Sequence, residues 1–209
     1  MDVSGAGIVE VEYSHFSIGE MRDPGFDAVE ARVDFATSDP VIAVPGQIVI
    51  VSRVQAHGAP VVLSSAAPGQ ETVPGGDWRL VSTISYAPVY SGRMYACDTM
   101  NGVASPAPGP IEAFGQSIEP GEPAIDLDLS HVHRVQIWAR GREDSRERHE
   151  EAMEREVWGA NEGFEEYAVV FTPAGEQEAP VPSGEVGLRE RFARQRAEED
   201  EIARLFGRE

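Results

Sequence analysis

Two histidines two residues apart, His131-Val132-His133, are where residue type and spacing in this 209-residue chain come nearest to chemistry. On a strand, side chains at i and i+2 share a face, and metal sites built on strands begin with such an imidazole pair. A complete site also needs a carboxylate a few residues on and a further, distant imidazole. Here Arg134-Val135-Gln136-Ile137-Trp138 follows instead. Asp126 and Asp128 supply oxygen ligands only if a hairpin folds them back beside the imidazoles, and Ser130-His131-Val132 reads more simply as the turn of that hairpin.

The remaining reactive side chains are scattered. A serine, one of His15, His57, His131, His133 or His149, and a carboxylate supply the types for nucleophilic catalysis, but no G-x-S-x-G elbow sets their order. No phosphate-binding loop is present, and Gly5-Ala6-Gly7 lacks the preceding strand that a dinucleotide fingerprint requires. Glu150-Glu151 and Glu165-Glu166 are adjacent carboxylates, which on a strand point to opposite faces and do not pair across a substrate. Cys97, the single cysteine, excludes an intrachain disulfide and is expected to pack as a small apolar group. These residues specify no reaction and imply no cofactor.

Charge narrows the partners. With 36 acidic and 17 basic side chains, and a formal net charge of -19, the chain is repelled by nucleic-acid phosphates and anionic lipids and steered towards cationic proteins. All the basic residues are arginine. The N-terminal residues show neither a basic nor an apolar signal region, and no apolar run approaches the roughly 20 residues of a membrane span. A cytoplasmic location is expected.

The elements that must position these residues are short strands. Val9, Val11 and Tyr13 alternate with Glu10, Glu12 and Ser14, and Val29, Ala31, Val33 and Phe35 alternate with Glu30, Arg32 and Asp34. After the Pro45-Gly46 turn, Ile48-Val49-Ile50-Val51 predicts a central strand covered on both sides. Further strands are predicted over Pro60 to Leu63, over Trp78 to Tyr86 with Leu80, Ser82 and Ile84 on one side, and over Arg93 to Cys97. The proline-rich stretch 104–110 cannot sustain a sheet. Ile125, Leu127 and Leu129 alternate, as do His133, Val135, Ile137 and Ala139, and a last strand runs from Glu165 to Phe171 and stops at Pro173. Strands this numerous, with no room for crossover helices before residue 140, predict a mainly β, antiparallel β-sandwich of jelly-roll-like layout.

Residues 142–157 are strong helix formers without an apolar stripe, predicting a short solvated helix or a loop between strands. Residues 1–175 form the expected sandwich domain, 176–185 a linker, and 186–209 a C-terminal amphipathic helix or tail. The carboxylates of the charged insert, Glu143, Asp144, Glu147, Glu150, Glu151, Glu154 and Glu156, are the candidate partner-binding surface. Trp78, Trp138 and Trp158 read as core or rim anchors.

The strand order also resembles that of the competence protein J family, small β-rich inhibitors of a DNA-entry nuclease. The likeness runs through Val11-Glu12-Tyr13-Ser14-His15-Phe16-Ser17-Ile18, Ala28 to Phe35 and Gln47 to Ser52. It resumes in Ile125-Asp126-Leu127, Val135 to Gly141 and Glu166 to Phe171. The resemblance implies binding or inhibition without catalysis and transfers no functional residue. The sequence therefore predicts a non-enzymatic acidic protein that binds a cationic nuclease or toxin. Its alternatives are a cupin-like metal-dependent enzyme using His131 and His133, or an assembly protein self-associating through its C-terminal helix.

Overall fold

Alternating burial sorts the strands into layers. The computed structural model describes residues 1–21, 32–70, 72–100, 102–155 and 163–180. In its first half lie β1 (Asp2–Val3), β2 (Gly7–Val11), β3 (His15–Glu20), β4 (Val41–Val44), β5 (Gln47–Val51), β6 (His57–Ser65) and β7 (Arg79–Tyr86). There follow β8 (Arg93–Cys97), β9 (Ser105–Pro106), β10 (Ile111–Ala113), β11 (Gln116–Ile118), β12 (Ala124–Asp126), β13 (His131–Arg140), α1 (Ser145–Glu154) and β14 (Glu166–Glu176).

One sheet runs β7-β13-β14-β6-β2-β9 with β1 also on β6, and a second runs β12-β8-β3-β5-β4. Against the expectation for the proline-rich stretch 104–110, Ser105 and Pro106 pair with Ile8 and Gly7 as the short edge strand β9, where a proline is tolerated. Between them lies the main core. Val9, Val11, Val61, Leu63, Val135, Ile137, Val169 and Phe171 come from the first sheet, and Phe16, Ile18, Ile48, Ile50, Met94 and Ile125 from the second. The hairpin β10–β11 covers the outer face of the larger sheet, where Ile111, Ala113 and Ile118 meet Trp78, Val62 and Ala168. Strands β6 and β14 are therefore buried on both faces, which their continuous apolar runs require. The predicted sandwich is observed, with one refinement: β6 and β14 pair in parallel, Tyr167 opposite Val61 through Phe171 opposite Ser65, so the larger sheet is mixed.

Several local readings shift for identifiable reasons. β2 stops at Val11, and Tyr13 (φ 52°) and Ser14 (φ 63°) form a two-residue turn closed by the His15 amide on the Glu12 carbonyl at 3.1 Å. Tyr13 is 77% exposed and does not join the face of Val9 and Val11. Residues 29–31 of the second predicted strand lie outside the described set, and residues 32–35 are not strand. A register shift between Ile137 and Trp138 sets Leu80, not Val81, opposite Trp138. This bulge turns Val81 to the core beside Ile84 and leaves Leu80 48% exposed. β14 continues past Pro173 to Glu176, because beyond Phe171 it pairs only with β13, through an irregularity at Val132/His133. The start of the expected linker is docked: the Gln177 amide reaches the Ser130 carbonyl at 2.9 Å, and its side chain the Leu129 carbonyl at 2.9 Å. The expected C-terminal helix, 186–209, and Trp158 lie outside the described residues.

A tyrosine and a serine in left-handed backbone at the two turn positions are strained, where Asn-Gly is favoured. Replacing Tyr13 by Asn and Ser14 by Gly together is expected to raise unfolding free energy by about 1 kcal/mol, read as a higher urea midpoint at unchanged m-value.

Candidate functional site

Helix α1, between β13 and β14, carries the predicted contact residues, and its attachment to the body is unusual in kind. The stripe facing the body is Ser145, Arg148, His149 and Ala152, the spacing of an apolar face filled mainly by polar side chains. Only Ser145 is fully buried. A helix of ten residues without an apolar face does not persist in water by propensity alone. Polar contacts must hold it.

The anchor is Glu165, a carboxylate with no solvent exposure. Its Oε1 accepts from the Ser145 hydroxyl at 2.7 Å and from the Arg53 amide at 3.1 Å. Its Oε2 accepts from the Tyr167 hydroxyl and from Arg142 Nη1 at 3.2 Å, and Arg142 Nη1 also lies 2.9 Å from the Tyr167 oxygen. One carboxylate thus joins the β5–β6 loop, the approach to α1, the first helical residue and the start of β14. Arg148 adds a second clamp by donating to the carbonyls of Gly141, at 2.6 Å, and Phe164. Its guanidinium and the His149 ring lie 5.8 and 5.3 Å from the centre of the Phe164 ring. Burial pushes the Glu165 carboxyl up, but hydrogen bonds from Tyr167 and Ser145 and the charge of Arg142 outweigh it, so it sits below the usual carboxylate range. Burial, with the Glu165 charge next, pushes the Tyr167 phenol upward, which keeps it a donor.

Beneath this anchor lies a serine–histidine pair. Ser52 Oγ is 3.2 Å from His57 Nε2, and His57 Nδ1 is 3.2 Å from the Gly58 carbonyl. Nδ1–H donates to that carbonyl, which leaves Nε2 to accept from the serine. The pair resembles a catalytic dyad in connectivity, but both residues are buried, and Ser52 Oγ is already engaged by the Val54 amide at 3.0 Å. The Glu165 charge also lies beside the serine rather than behind the imidazole, where it opposes a developing oxyanion. Ser52 and His57 hold the 52–57 turn. Burial lowers the His57 pKa, with the Glu165 charge only partly offsetting it.

With its inner stripe bound, α1 shows two further rows to solvent. In one, Asp144, Arg148, Glu151 and Arg155 neutralise one another through Arg148–Asp144 at 3.1 Å and Arg155–Glu151 at 3.3 Å. In the other, Glu147, Glu150 and Glu154 are exposed and make no ion pair among the described residues, and exposed Glu143 precedes them by one turn. Glu143, Asp144, Glu147, Glu150, Glu151 and Glu154 of the predicted set are exposed. Glu156 lies outside the described residues.

The histidine pair is used differently. Asp128 folds back beside both imidazoles, its Oδ2 3.0 Å from His131 Nδ1 and its carbonyl 3.0 Å from His133 Nε2. The turn proper is Leu129-Ser130, fixed by the Ser130 amide on Asp128 Oδ1 at 2.9 Å. His133 is buried, which lowers its pKa, and among the described residues no three His, Cys, Asp or Glu side chains come together as a metal-ligand set. Cys97 is buried, and burial pushes its thiol up, away from the reactive thiolate. Trp78 is buried with Arg140 stacked 4.9 Å from its ring centre, and Trp138 is half-buried. Glu165 itself was missed. Its signal was the Glu165-x-Tyr167 spacing, which puts a carboxylate and a phenol on one face.

Two outcomes test this network. Removing one partner of a buried ion pair costs about 3–5 kcal/mol, so Glu165→Gln is expected to lose stability of that order at neutral pH. The lowered values of His57 and Glu165 mean that the unfolded chain binds more protons, so stability rises with pH through both windows. The urea midpoint is expected to fall as pH drops below the free-histidine value of 6.5, and again below the free-carboxyl value of 4.5. Glu165→Gln should flatten the second step and His57→Asn should shrink the first.

No family model and no curated protein matches this sequence. Among solved structures, the chain is similar to ComJ, inhibitor of the DNA degrading activity of NucA, from Bacillus subtilis. That likeness has 10% identity and a TM-score of 0.42, and covers 83% of this chain and 96% of ComJ. It is also similar to the protein of crocagin biosynthetic gene J, with 16% identity and a TM-score of 0.35, over 82% of this chain and 97% of that one. The likeness to ComJ is a weak resemblance at the level of the fold, over a mainly β chain.

Proposed function

We propose that this protein is a non-enzymatic binding module that docks on a cationic protein, a nuclease or toxin being the target class, through the outer face of α1. The observation that supports this is the unpaired row Glu147, Glu150 and Glu154, led by Glu143, on a helix clamped at its base by Glu165 and Arg148. Carboxylates at i, i+3 and i+7 repel one another by a few tenths of a kcal/mol per pair. A cationic partner relieves that repulsion. The adjacent row neutralises itself, so the uncompensated charge is confined to one edge of the helix. Fixing the helix before binding lowers the ordering cost of association.

A net charge of -19 adds long-range attraction, which raises the association rate with basic proteins and is screened beyond about 10 Å at 0.1 M salt. ComJ, described as an inhibitor of a nuclease, is an example of the class proposed. The reading rests on the helix and its charge, not on that likeness.

The test is capture of a partner on the immobilised protein, followed by binding kinetics. The captured protein is expected to be basic, with an association rate that falls steeply as salt rises. Replacing Glu147, Glu150 and Glu154 by Gln should slow association by about tenfold or more while leaving the thermal midpoint nearly unchanged, because exposed charges contribute little to folding. A neutral or acidic partner, or a rate indifferent to salt and to these substitutions, refutes the proposal.

A further inference from the structure

Strand register brings three loops to the end of the sandwich that carries α1. Val11 of β2 pairs with His57 of β6, His15 of β3 with Val51 of β5, and Ser17 of β3 with Cys97 of β8. The parallel pairing of β14 with β6 sets Glu165 at that same end. Hydrogen bonds join the 12–14 turn to the 52–56 loop: the Ser14 amide reaches the Gln55 carbonyl at 2.9 Å, and the Ser52 amide the Ser14 carbonyl at 2.8 Å. The next amide, Arg53, is held by Glu165. On the other flank, the Thr99 hydroxyl of the 98–103 loop donates to Glu12 Oε2 at 3.1 Å.

Apolar side chains crowd this end without being buried. Among the described residues the two most exposed large apolar side chains are Met100, at 82%, and Tyr13, at 77%. Phe35, also exposed, has its ring 4.9 Å from that of His15, whose Nδ1 lies 3.1 Å from the Tyr13 carbonyl. Val103 is exposed too and bridges to Cys97. Tyr13 is held outward on a left-handed backbone (φ 52°) that a tyrosine rarely adopts. Neither feature helps the fold, since the ring stays out of the core and the backbone is strained. Strain kept where packing does not demand it points to another use, and a contiguous exposed apolar patch points to contact with a partner.

The charges around the patch select the surface it fits. Glu12, Asp34 and Asp98 flank it, and none has an ion-pair partner among the described residues. They accept only from the Thr99 hydroxyl and from the amides of Ala36, Met100 and Gly102. The arginines on the same segments are Arg32, likewise without an ion pair among the described residues, and Arg53, which donates to the Arg142 and Glu143 carbonyls at 3.2 and 3.4 Å. The rim is therefore acidic on balance, of the same sign as the α1 row. A second copy of this chain would set like charges against each other, whereas a basic surface meets opposite ones.

We propose that Tyr13 and Met100, with Phe35 and Val103 around them, are the apolar centre of the face on which the cationic partner docks, and that they enter an apolar pocket with a basic rim. This rests on α1 being the docking helix and divides the work between two parts of one face. The row Glu147, Glu150 and Glu154 draws the partner in, and Tyr13 and Met100 hold it: a rigid aromatic fills a pocket, and the unbranched methionine adapts to what remains.

The test is the dissociation rate of the basic protein captured on the immobilised full-length chain. Tyr13→Asn suits the left-handed position, so it removes the ring and keeps the turn. It is expected to speed dissociation about thirtyfold, the factor that marks an interface hot spot, with association and its salt dependence unchanged. Met100→Ser should act in the same direction. Ser14→Gly relieves strain but retains the ring, and should leave dissociation as it is. The Glu147, Glu150 and Glu154 triple variant should show the opposite split, with slower association and little change in dissociation. Unaltered dissociation in both Tyr13→Asn and Met100→Ser overturns this inference and leaves the role of α1 intact. Capture of neutral or acidic proteins alone overturns both. A dimer that light scattering detects in the native protein but not in Tyr13→Asn makes the patch a self-contact, and overturns the inference as well.

Discussion

The buried carboxylate of Glu165 is the interaction on which the rest of the site depends. A charge in a protein interior costs several kcal/mol unless nearly every lone pair is met. Here the donors come from three stretches of chain: Arg53, Arg142 with Ser145, and Tyr167. Because leaving any donor unmet is costly, the loop, the helix entry and the β14 entry adopt one mutual arrangement. Such a pair contributes little net stability relative to an apolar replacement. What it contributes is geometry.

A second buried carboxylate works the same way at another corner of the sandwich. Glu20, at the end of β3, accepts from the Tyr86 hydroxyl at 3.1 Å and from the amides of Val89, at 2.9 Å, and of Tyr90 and Gly92, each at 2.6 Å. It ties the smaller sheet to the turn that leaves β7. Both sheets are thus joined by hydrophobic packing in the middle and by an acid at each of two loop clusters. In a chain this acidic, two of the carboxylates act as internal fasteners, while α1 displays others at the surface.

How much was legible beforehand follows from which forces write a periodic pattern. Strands that bury one or both faces were readable: Ile48 to Val51, Arg93 to Cys97, and the alternation from His133 to Ala139 all sit as their patterns require. The misplacements came from single-residue events that break period two. The turn at Tyr13-Ser14 uses residues that do not advertise a left-handed backbone, and the bulge at Val81 exchanges the faces of Leu80 and its neighbour. The parallel pairing of β6 with β14 is a long-range choice that no local window contains. On α1 the helix-forming residues were legible but left a loop open, and the body-facing stripe was invisible, since Ser145, Arg148 and His149 occupy positions normally marked by leucine or valine. The donors around Glu165 are ordinary residues whose meaning lies only in their convergence.

One acid makes α1 a rigid platform, and amide hydrogen exchange of the helix measures that directly. In the native protein the α1 amides are predicted to exchange far more slowly than those of an isolated helix of this length. In Glu165→Gln, α1 protection should collapse while the β13–β14 ladder stays protected. Equal protection of α1 in both proteins, or no protection in either, would contradict the claim that Glu165 holds the acidic face in place.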